Sequence, residues 1–315
     1  MDLDDLLQKT SRTFAVAIPL LPEPTRNAVA LAYLLFRVAD TFEDATLWTR
    51  DERITALHQF ARLFELDREA RALEATQLVS RCTSRPPIDH QGYLELLSQL
   101  SPLLDRFDAL EPSARAIVAH HVTRTSDGMG AVVRRADERG NLSLTSLHDL
   151  KSYCYLVAGI VGELLTELFL NDCPALGSSA DALRASAVAF GEGLQLVNIL
   201  KDSGADASDG RVYLPPQVSR AEVLSLAWAD LEQANRYVQT LQHGGAPRGF
   251  VAFTGLALVL AFASLDVLRV RGAGAKVSRD DVGRLFAALH QSLDEDQPFD
   301  ALALISSTAL RARAS

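Results

Sequence analysis

Apolar residues at helical spacing run through almost the whole of this 315-residue chain, and that restricts it to an all-α fold. Residues 24–44 (PTRNAVALAYLLFRVADTFED) place Leu31, Leu34, Leu35, Val38 and Phe42 three and four apart, with Pro24 suited to a first turn. Residues 49–66 begin with Thr49 as an N-cap and repeat Ile54, Leu57, Phe60, Leu63 and Phe64. The same pattern predicts helices over 90–109, 112–135, 145–170, 179–203, 219–242, 247–270, 279–292 and 299–312. Ser278 with Asp281 resembles a capping-box start with Asp in place of Glu. No run of alternating strands joined by hairpin turns is present in the sequence. The breaks are short (Ser84–Pro87, Asn171–Ser179, Gly204–Pro216 and Gly244–Pro247), and no linker or 20–50-residue repeat interrupts them. The expectation is one all-α domain over residues 1–315, its helices bundled around one core and a central apolar cavity.

Composition narrows the function. With 31 Lys and Arg against 40 Asp and Glu the net charge is −9, a poor basis for binding nucleic acid through its backbone. Cys82, Cys154 and Cys173 form neither a CxxC pair nor a His/Cys cluster, which argues against structural zinc and a disulfide scaffold and for a cytoplasmic setting. The start, MDLDDLLQKTSRTF, lacks the basic region of a secretory signal. The uncharged stretch from Gly249 to Leu265 is just short of a bilayer span and reads first as a buried core helix, with contact to lipid or a long apolar ligand as the alternative. Adjacent His120 and His121 read as surface residues of their helix.

Two acidic clusters carry the chemistry: Asp40-Thr-Phe-Glu43-Asp44 and Asp202-Ser-Gly-Ala-Asp206. Spacing does not single them out, because Asp296 and Asp300 repeat it, and a solvated acidic face explains any one pair. Context does. Asp40 and Asp44 end a strongly apolar helix on one face. Two carboxylates about 6 Å apart repel by roughly 3 kcal/mol at an effective dielectric near 20. A hard divalent ion relieves that repulsion and completes its shell with water and phosphate. Arg37, one turn earlier, adds a cation to the same face.

In the second cluster Gln195, Asn198, Asp202 and Asp206 stand at i, i+3, i+7 and i+11, a polar stripe on an otherwise apolar segment. Lys201, then Arg211 and Tyr213 beyond a glycine-bearing loop, supply donors. A buried structural hydrogen-bond network explains the stripe almost as well as a binding site does.

Taken whole, three segments resemble the squalene/phytoene synthase family: SRTFAVAIPLLPEPTRNAVALAYLLFRVADTFEDA (Ser11–Ala45), YCYLVAGIVGELLTELF (Tyr153–Phe169) and FGEGLQLVNILKDSGADASDGRVYLP (Phe190–Pro215). The resemblance implies an all-α isoprenoid-synthase fold. It also implies head-to-head joining of two isoprenyl diphosphates through a cyclopropylcarbinyl diphosphate. By position, Asp40 and Asp44 would hold Mg²⁺ (or Mn²⁺) on one helix and Asp202 and Asp206 on the facing one, with Glu43 and Asn198 completing the ligand set. Ser11, Arg12 and Phe14 match the opening diphosphate motif. Arg37, Lys201, Arg211 and Tyr213 match basic and phenolic positions near the phosphates. Gln195 and Asn198 match the polar pair before the second motif, and Tyr153 matches the tyrosine proposed to assist proton transfer.

Three positions depart from the family pattern. Lys201 stands where Arg is common, so a point charge replaces a bidentate fork. Ala205 stands where a further acid is common, and Thr254-Gly255 replaces a Pro-containing pattern. The resemblance is strongest to squalene synthases of bacteria. The implied activity is condensation of two farnesyl diphosphates through presqualene diphosphate to squalene, with NADPH as reductant. The alternatives are a phytoene, dehydrosqualene or presqualene diphosphate synthase and, more remotely, a non-catalytic scaffold. Chain-length preference and oligomeric state are not set by the sequence. Lipophilic substrate and product suggest peripheral contact with the inner membrane face, although no strongly basic amphipathic helix is present in the sequence. Ala158, Gly159 and Gly162 read first as helix-packing residues and second as space for a polyprenyl tail.

Overall fold

The computed structural model describes residues 3–11, 13–137 and 140–308, and the described residues are almost entirely helical. The chain forms two compact units, residues 1–18 with 23–142 and residues 19–22 with 143–315.

The first unit contains α1 (Leu3–Thr10), α2 (Phe14–Ala17), α3 (Thr25–Glu43), α4 (Arg50–Arg62), α5 (Arg68–Ser84), α6 (Gln91–Ser98), α7 (Leu100–Asp108) and α8 (Pro112–Arg134). Helix α3 buries Leu31, Leu34, Leu35, Val38 and Phe42, the stripe expected from spacing. A chain of edge-to-face rings, Phe42–Phe60–Phe64–Phe107, joins α3, α4 and α7 with centroids 6.0, 5.3 and 5.2 Å apart. Burying each such ring stabilises the fold by roughly 1.5–3 kcal/mol. Thr49 caps α4 in a full capping box with Glu52.

Helix α5 is absent from the sequence-based expectation, and Arg71 is the reason. Its buried stripe is Arg71, Ala75, Leu78 and Cys82, so a guanidinium occupies a core position of the pattern. Arg71 is satisfied there by the carbonyls of Leu63 and Leu66, each at 2.7 Å, by the Asp108 carboxylate and by the Phe107 ring. The predicted helix 90–109 is two helices, α6 and α7, meeting at Gln99.

The second unit begins at Ser143, the second residue of strand β1 (Leu142–Ser143), which pairs with β2 (Arg211–Val212). Its helices are α9 (Leu147–Cys154), α10 (Ile160–Asp172), α11 (Ala180–Ser208), α12 (Arg220–His243), α13 (Arg248–Arg271), α14 (Arg279–Asp294) and α15 (Ala301–Ser307). A π-helical turn, Tyr155–Gly159, separates α9 from α10, where sequence predicts one continuous helix. Helix α11 continues through Gly204 to Ser208, where sequence predicts a loop. Helix α15 is shorter than the predicted 299–312, and residues 309–312 lie outside the described residues.

Helix α13 is the buried core helix that its apolar run suggests, with Phe250, Phe253, Leu258 and Phe262 almost fully enclosed. Among the described residues two stretches, Leu147–Asp172 and Arg248–Arg271, are long and apolar enough to cross a membrane, and both turn most of that surface inward.

Gly162 and Gly191 bring α10 and the π-helical turn against α11 at backbone distance. A Cβ on Gly162 would lie 2.0 Å from the Ala187 carbonyl oxygen, and one on Gly191 would lie 1.9 Å from that of Ala158. These small residues therefore serve helix packing, not room for a tail.

Candidate active site

In the first unit the acidic motif occupies the last turn of α3. Asp40 lies on the helix, Glu43 ends it, and Asp44 is the C-cap, its N–H donating to the Asp40 carbonyl at 2.8 Å. Glu43 is buried, and its backbone carbonyl accepts from the Arg53 guanidinium of α4. Arg37 places Nη1 3.1 Å from Asp40 Oδ2, with 28% and 29% of the two side chains' surfaces still open. Burial pushes the Asp40 carboxyl up to about 6; Arg37 opposes that shift and the Asp44 charge adds to it. Burial works against the Arg37 charge as well, but Asp40 and then Tyr33 hold the guanidinium firmly protonated.

The opening motif lies beside this group. Ser11 Oγ accepts the Phe14 N–H at 3.0 Å, so its hydroxyl shapes the start of α2, and its own proton is left to donate. Phe14 packs on Tyr33 with centroids 5.2 Å apart. Arg12 lies outside the described residues.

In the second unit the stripe on α11 is accessible. Gln195, Asp202 and Asp206 are half-buried and Asn198 is exposed, which removes the reading as a buried structural network. Lys201 Nζ donates to Asn198 Oδ1 at 3.0 Å and sits 3.3 Å from Asp202 Oδ2. Because α11 runs on to Ser208, Asp206 stays one turn from Asp202 on the same face. Beyond Gly210, which takes φ 79° to turn the chain, Arg211 pairs with Asp209 at 3.3 Å. The Leu144 N–H donates to the Val212 carbonyl at 2.9 Å. That pairing carries Tyr213 to the Tyr153 ring of α9, and the two buried rings stack at 4.7 Å and 24°.

The third Asp-x-x-x-Asp is structural. Asp300 caps α15 by accepting the Leu302 N–H at 2.9 Å, and Asp296 takes φ 50° just beyond α14. His121, expected at the surface, is buried and bonds the Ile117 carbonyl through Nδ1 at 2.8 Å, while His120 is exposed. The three cysteines are free and buried. Burial raises the Cys82 thiol to about 12 and the Cys154 thiol further, so both stay protonated.

Sequence reasoning missed two groups. Tyr33 and Tyr93 both flank Arg37; Tyr33 was readable as the residue one turn before it. The other is a buried acid pair, Glu192 on α11 and Asp230 on α12, near Lys151 of α9. A cavity of about 340 Å³ in the first unit is lined by Cys82, Pro86, Leu94, Leu97 and Ser98 among others, and by no predicted site residue.

The carboxylate pairs fit a hard divalent ion. Each offers oxygen ligands one turn apart beside a cation suited to phosphate, and Asp40 resists carrying its charge. Among the described residues no group of three or more His, Cys, Asp or Glu converges. Each pair would therefore supply one or two carboxylates, and water and phosphate the remainder, which is the habit of Mg²⁺.

The described residues thus set two such pairs, each beside a basic side chain, in an all-α fold. The Squalene/phytoene synthase family model matches residues 7–225, and the chain belongs to that family. The chain is 32% identical to the squalene synthase of Eremothecium gossypii over 217 residues, 68% of this chain and 45% of that protein. It is 31% identical to squalene synthase ERG9 of Saccharomyces cerevisiae over the same shares of both chains. The Botryococcus squalene synthase of Botryococcus braunii is 27% identical over 76% of this chain and 47% of that one. The matched region thus spans about half the length of these curated relatives. Among solved structures, a complex of TcSQS with the ligand BPH1237 superposes with TM-score 0.74 at 22% identity, over 98% of this chain and 89% of the other. A dehydrosqualene synthase in complex with ligand gives TM-score 0.53 at 21% identity, over 93% and 95%. Both share the isoprenoid-synthase fold.

Proposed function

We propose that this chain joins two farnesyl diphosphates head to head, through presqualene diphosphate, to squalene. The carrying observation is one arrangement found twice in a chain of this family. A carboxylate pair at one-turn spacing lies beside a cation, Arg37 at 3.1 Å from Asp40 and Lys201 at 3.3 Å from Asp202.

Mg²⁺, held by Asp40 and Asp44 and by Asp202 and Asp206, would draw off the negative charge that builds on the leaving diphosphate. Glu43 and Asn198 stand with these ligands in the sequence pattern. The chain's own donors do the rest. In the first unit Arg37 would bind diphosphate oxygens beside its carboxylate pair and Ser11 would donate its remaining proton; in the second unit Lys201 and Arg211 would do the same beside theirs. The departing C1–O electron pair leaves with the diphosphate, and fixed positive charge around it lowers that barrier. Tyr153, stacked on Tyr213 and buried, would relay the proton lost as the cyclopropane closes, taking it on its phenol oxygen while its own proton passes to the released diphosphate. Phe14 and the ring faces keep water from the allylic cation. NADPH is the reductant that a squalene product requires; it is proposed from the activity for which the relatives are named and carries no residue assignment.

The test is mass-spectrometric product analysis with C15 and C20 diphosphates, each with and without NADPH and Mg²⁺. Squalene from farnesyl diphosphate, dependent on Mg²⁺ and NADPH, is expected. Asp40→Asn or Asp202→Asn should cut turnover at least 100-fold while the melting temperature holds, because a ligand is lost and core packing is not. A presqualene, dehydrosqualene or phytoene product with no reductant consumed moves the assignment within the family. No diphosphate release at saturating metal and substrate identifies a non-catalytic scaffold. Flotation with anionic vesicles tests peripheral membrane contact.

A further inference from the structure

We infer that Tyr93, on α6, is a positioning residue that fixes the Arg37 guanidinium in the orientation it offers to a diphosphate. The inference rests on the proposed role of Arg37. The Arg37 guanidinium carbon lies 5.6 Å from the Tyr33 ring centre and 5.8 Å from that of Tyr93, both within cation–π range. Its Nη1 is held by Asp40 at 3.1 Å and its Nη2 by the Tyr33 hydroxyl at 3.2 Å, while Nε is buried with no hydrogen-bond partner. Tyr33 rides on α3, one turn before Arg37, and moves with it. Tyr93 comes from another helix and supplies a fixed reference against which the guanidinium is set.

That reference is itself well anchored. The far end of the ring chain is His90, stacked on Tyr93 at 4.2 Å and 28°. His90 is the N-cap of α6 and accepts the Tyr93 N–H through its ring, so one residue sets both the helix start and the ring's neighbour. Helix α6 is docked on α1 at Gly92, where a Cβ would lie 2.8 Å from the Lys9 carbonyl oxygen, and Lys9 pairs with Glu95 at 2.6 Å. Helix α1 also supplies the Thr10 carbonyl that accepts the Tyr33 hydroxyl at 3.3 Å. Both rings around Arg37 are therefore tied to α1, and the remaining freedom of a long, entropy-rich side chain is removed before a ligand arrives. The ring, not its hydroxyl, is what this role needs.

The experiment titrates the full chain calorimetrically with inorganic pyrophosphate in excess Mg²⁺, and records the arginine Nε–H signals of ligand-free protein by ¹⁵N NMR. Tyr93→Leu should weaken pyrophosphate binding about fivefold, the worth of one partly exposed cation–π contact, and broaden the Arg37 Nε–H signal. Tyr93→Phe should restore both to within twofold of the wild type. In an Arg37→Gln background, Tyr93→Leu should add no further loss. Wild-type affinity in Tyr93→Leu, equal losses in Tyr93→Phe, or a loss that persists without Arg37 would overturn the inference. If Arg37→Gln binds pyrophosphate like the wild type, the diphosphate role of Arg37 falls and the inference with it. An Nε–H signal that still depends on Tyr93 would then show that the fault lay in the functional reading.

Discussion

Glycine-to-alanine substitutions at three helical positions should give opposite signs, and the reason is steric. In an open helix the change stabilises by about 1 kcal/mol, because alanine loses less backbone freedom on folding. Gly283 in α14 is such a site, since a Cβ there meets nothing within 4 Å. Gly162 and Gly191 are not. Their new methyl groups would lie 2.0 and 1.9 Å from backbone carbonyl oxygens, well inside normal contact distance. A carbonyl within a helix cannot swing aside as a side-chain tip can. The helices must part by about 1 Å, and overpacking of this kind costs about 1–3 kcal/mol or more. Even after the alanine gain, a net loss of up to about 2 kcal/mol is expected, or a fall of up to roughly 8 °C in melting temperature. The assay is thermal melting followed by circular dichroism on the three single variants. Gly283→Ala should melt above the wild type and the other two below it. If Gly162→Ala or Gly191→Ala melts as high as Gly283→Ala, the claim that α10 and α11 touch backbone to backbone is wrong.

Glu192 gives a pH prediction. Burial, then the Asp230 charge, lift its carboxyl from 4.5 to about 7, with Lys151 opposing. An acid whose pKa is raised in the folded chain binds its proton more tightly there, so the stabilisation is full below about pH 4.5 and is lost as pH rises through about 7. Glu192→Gln should therefore stabilise the chain by about 3 kcal/mol at pH 8 and by little at pH 4.5; equal shifts in melting temperature at both pH values would contradict the assignment. Tyr153→Phe should leave pyrophosphate affinity unchanged and lower turnover at least tenfold, as read by single-turnover kinetics; normal turnover would make the Tyr153–Tyr213 stack a packing contact alone.

The sequence made the helices legible wherever an apolar stripe was uninterrupted, as in α3, α8, α12 and α13. It hid α5 because Arg71 occupies a core position that only the carbonyls of Leu63 and Leu66 and the Asp108 carboxylate make habitable. It ended α11 early because Gly204 reads as a break, yet one exposed glycine costs a helix only about 1 kcal/mol. His121 was misplaced because adjacent histidines look alike in sequence while a helix turns them 100° apart. The acidic and basic residues of the proposed site were legible singly. Tyr93 was not, because it reaches Arg37 from a different helix, with His90 stacked behind it, and no periodicity on α3 announces it.

The two carboxylate pairs lie toward the ends of their helices where acids are least favoured, a position that Asp108 of α7, Asp172 of α10 and Asp294 of α14 share. Acids are favoured at helix N-termini and disfavoured at C-termini, by about 0.3–1 kcal/mol each, because the last carbonyls carry partial negative charge. Asp300 obeys that rule as the N-cap of α15. Asp40 and Glu43 lie in the last turn of α3 with Asp44 as its C-cap, and Asp206 lies in the last turn of α11 with Asp209 as its C-cap. Local compensation is visible: Arg37 at Asp40, Arg53 on the Glu43 carbonyl, Lys201 at Asp202 and Arg211 at Asp209. One carboxyl is still driven up to about 6. Under the proposed function, a divalent cation with a diphosphate is the partner that would relieve the like-charge crowding at both pairs in the same way, and binding of pyrophosphate with Mg²⁺ should raise the melting temperature.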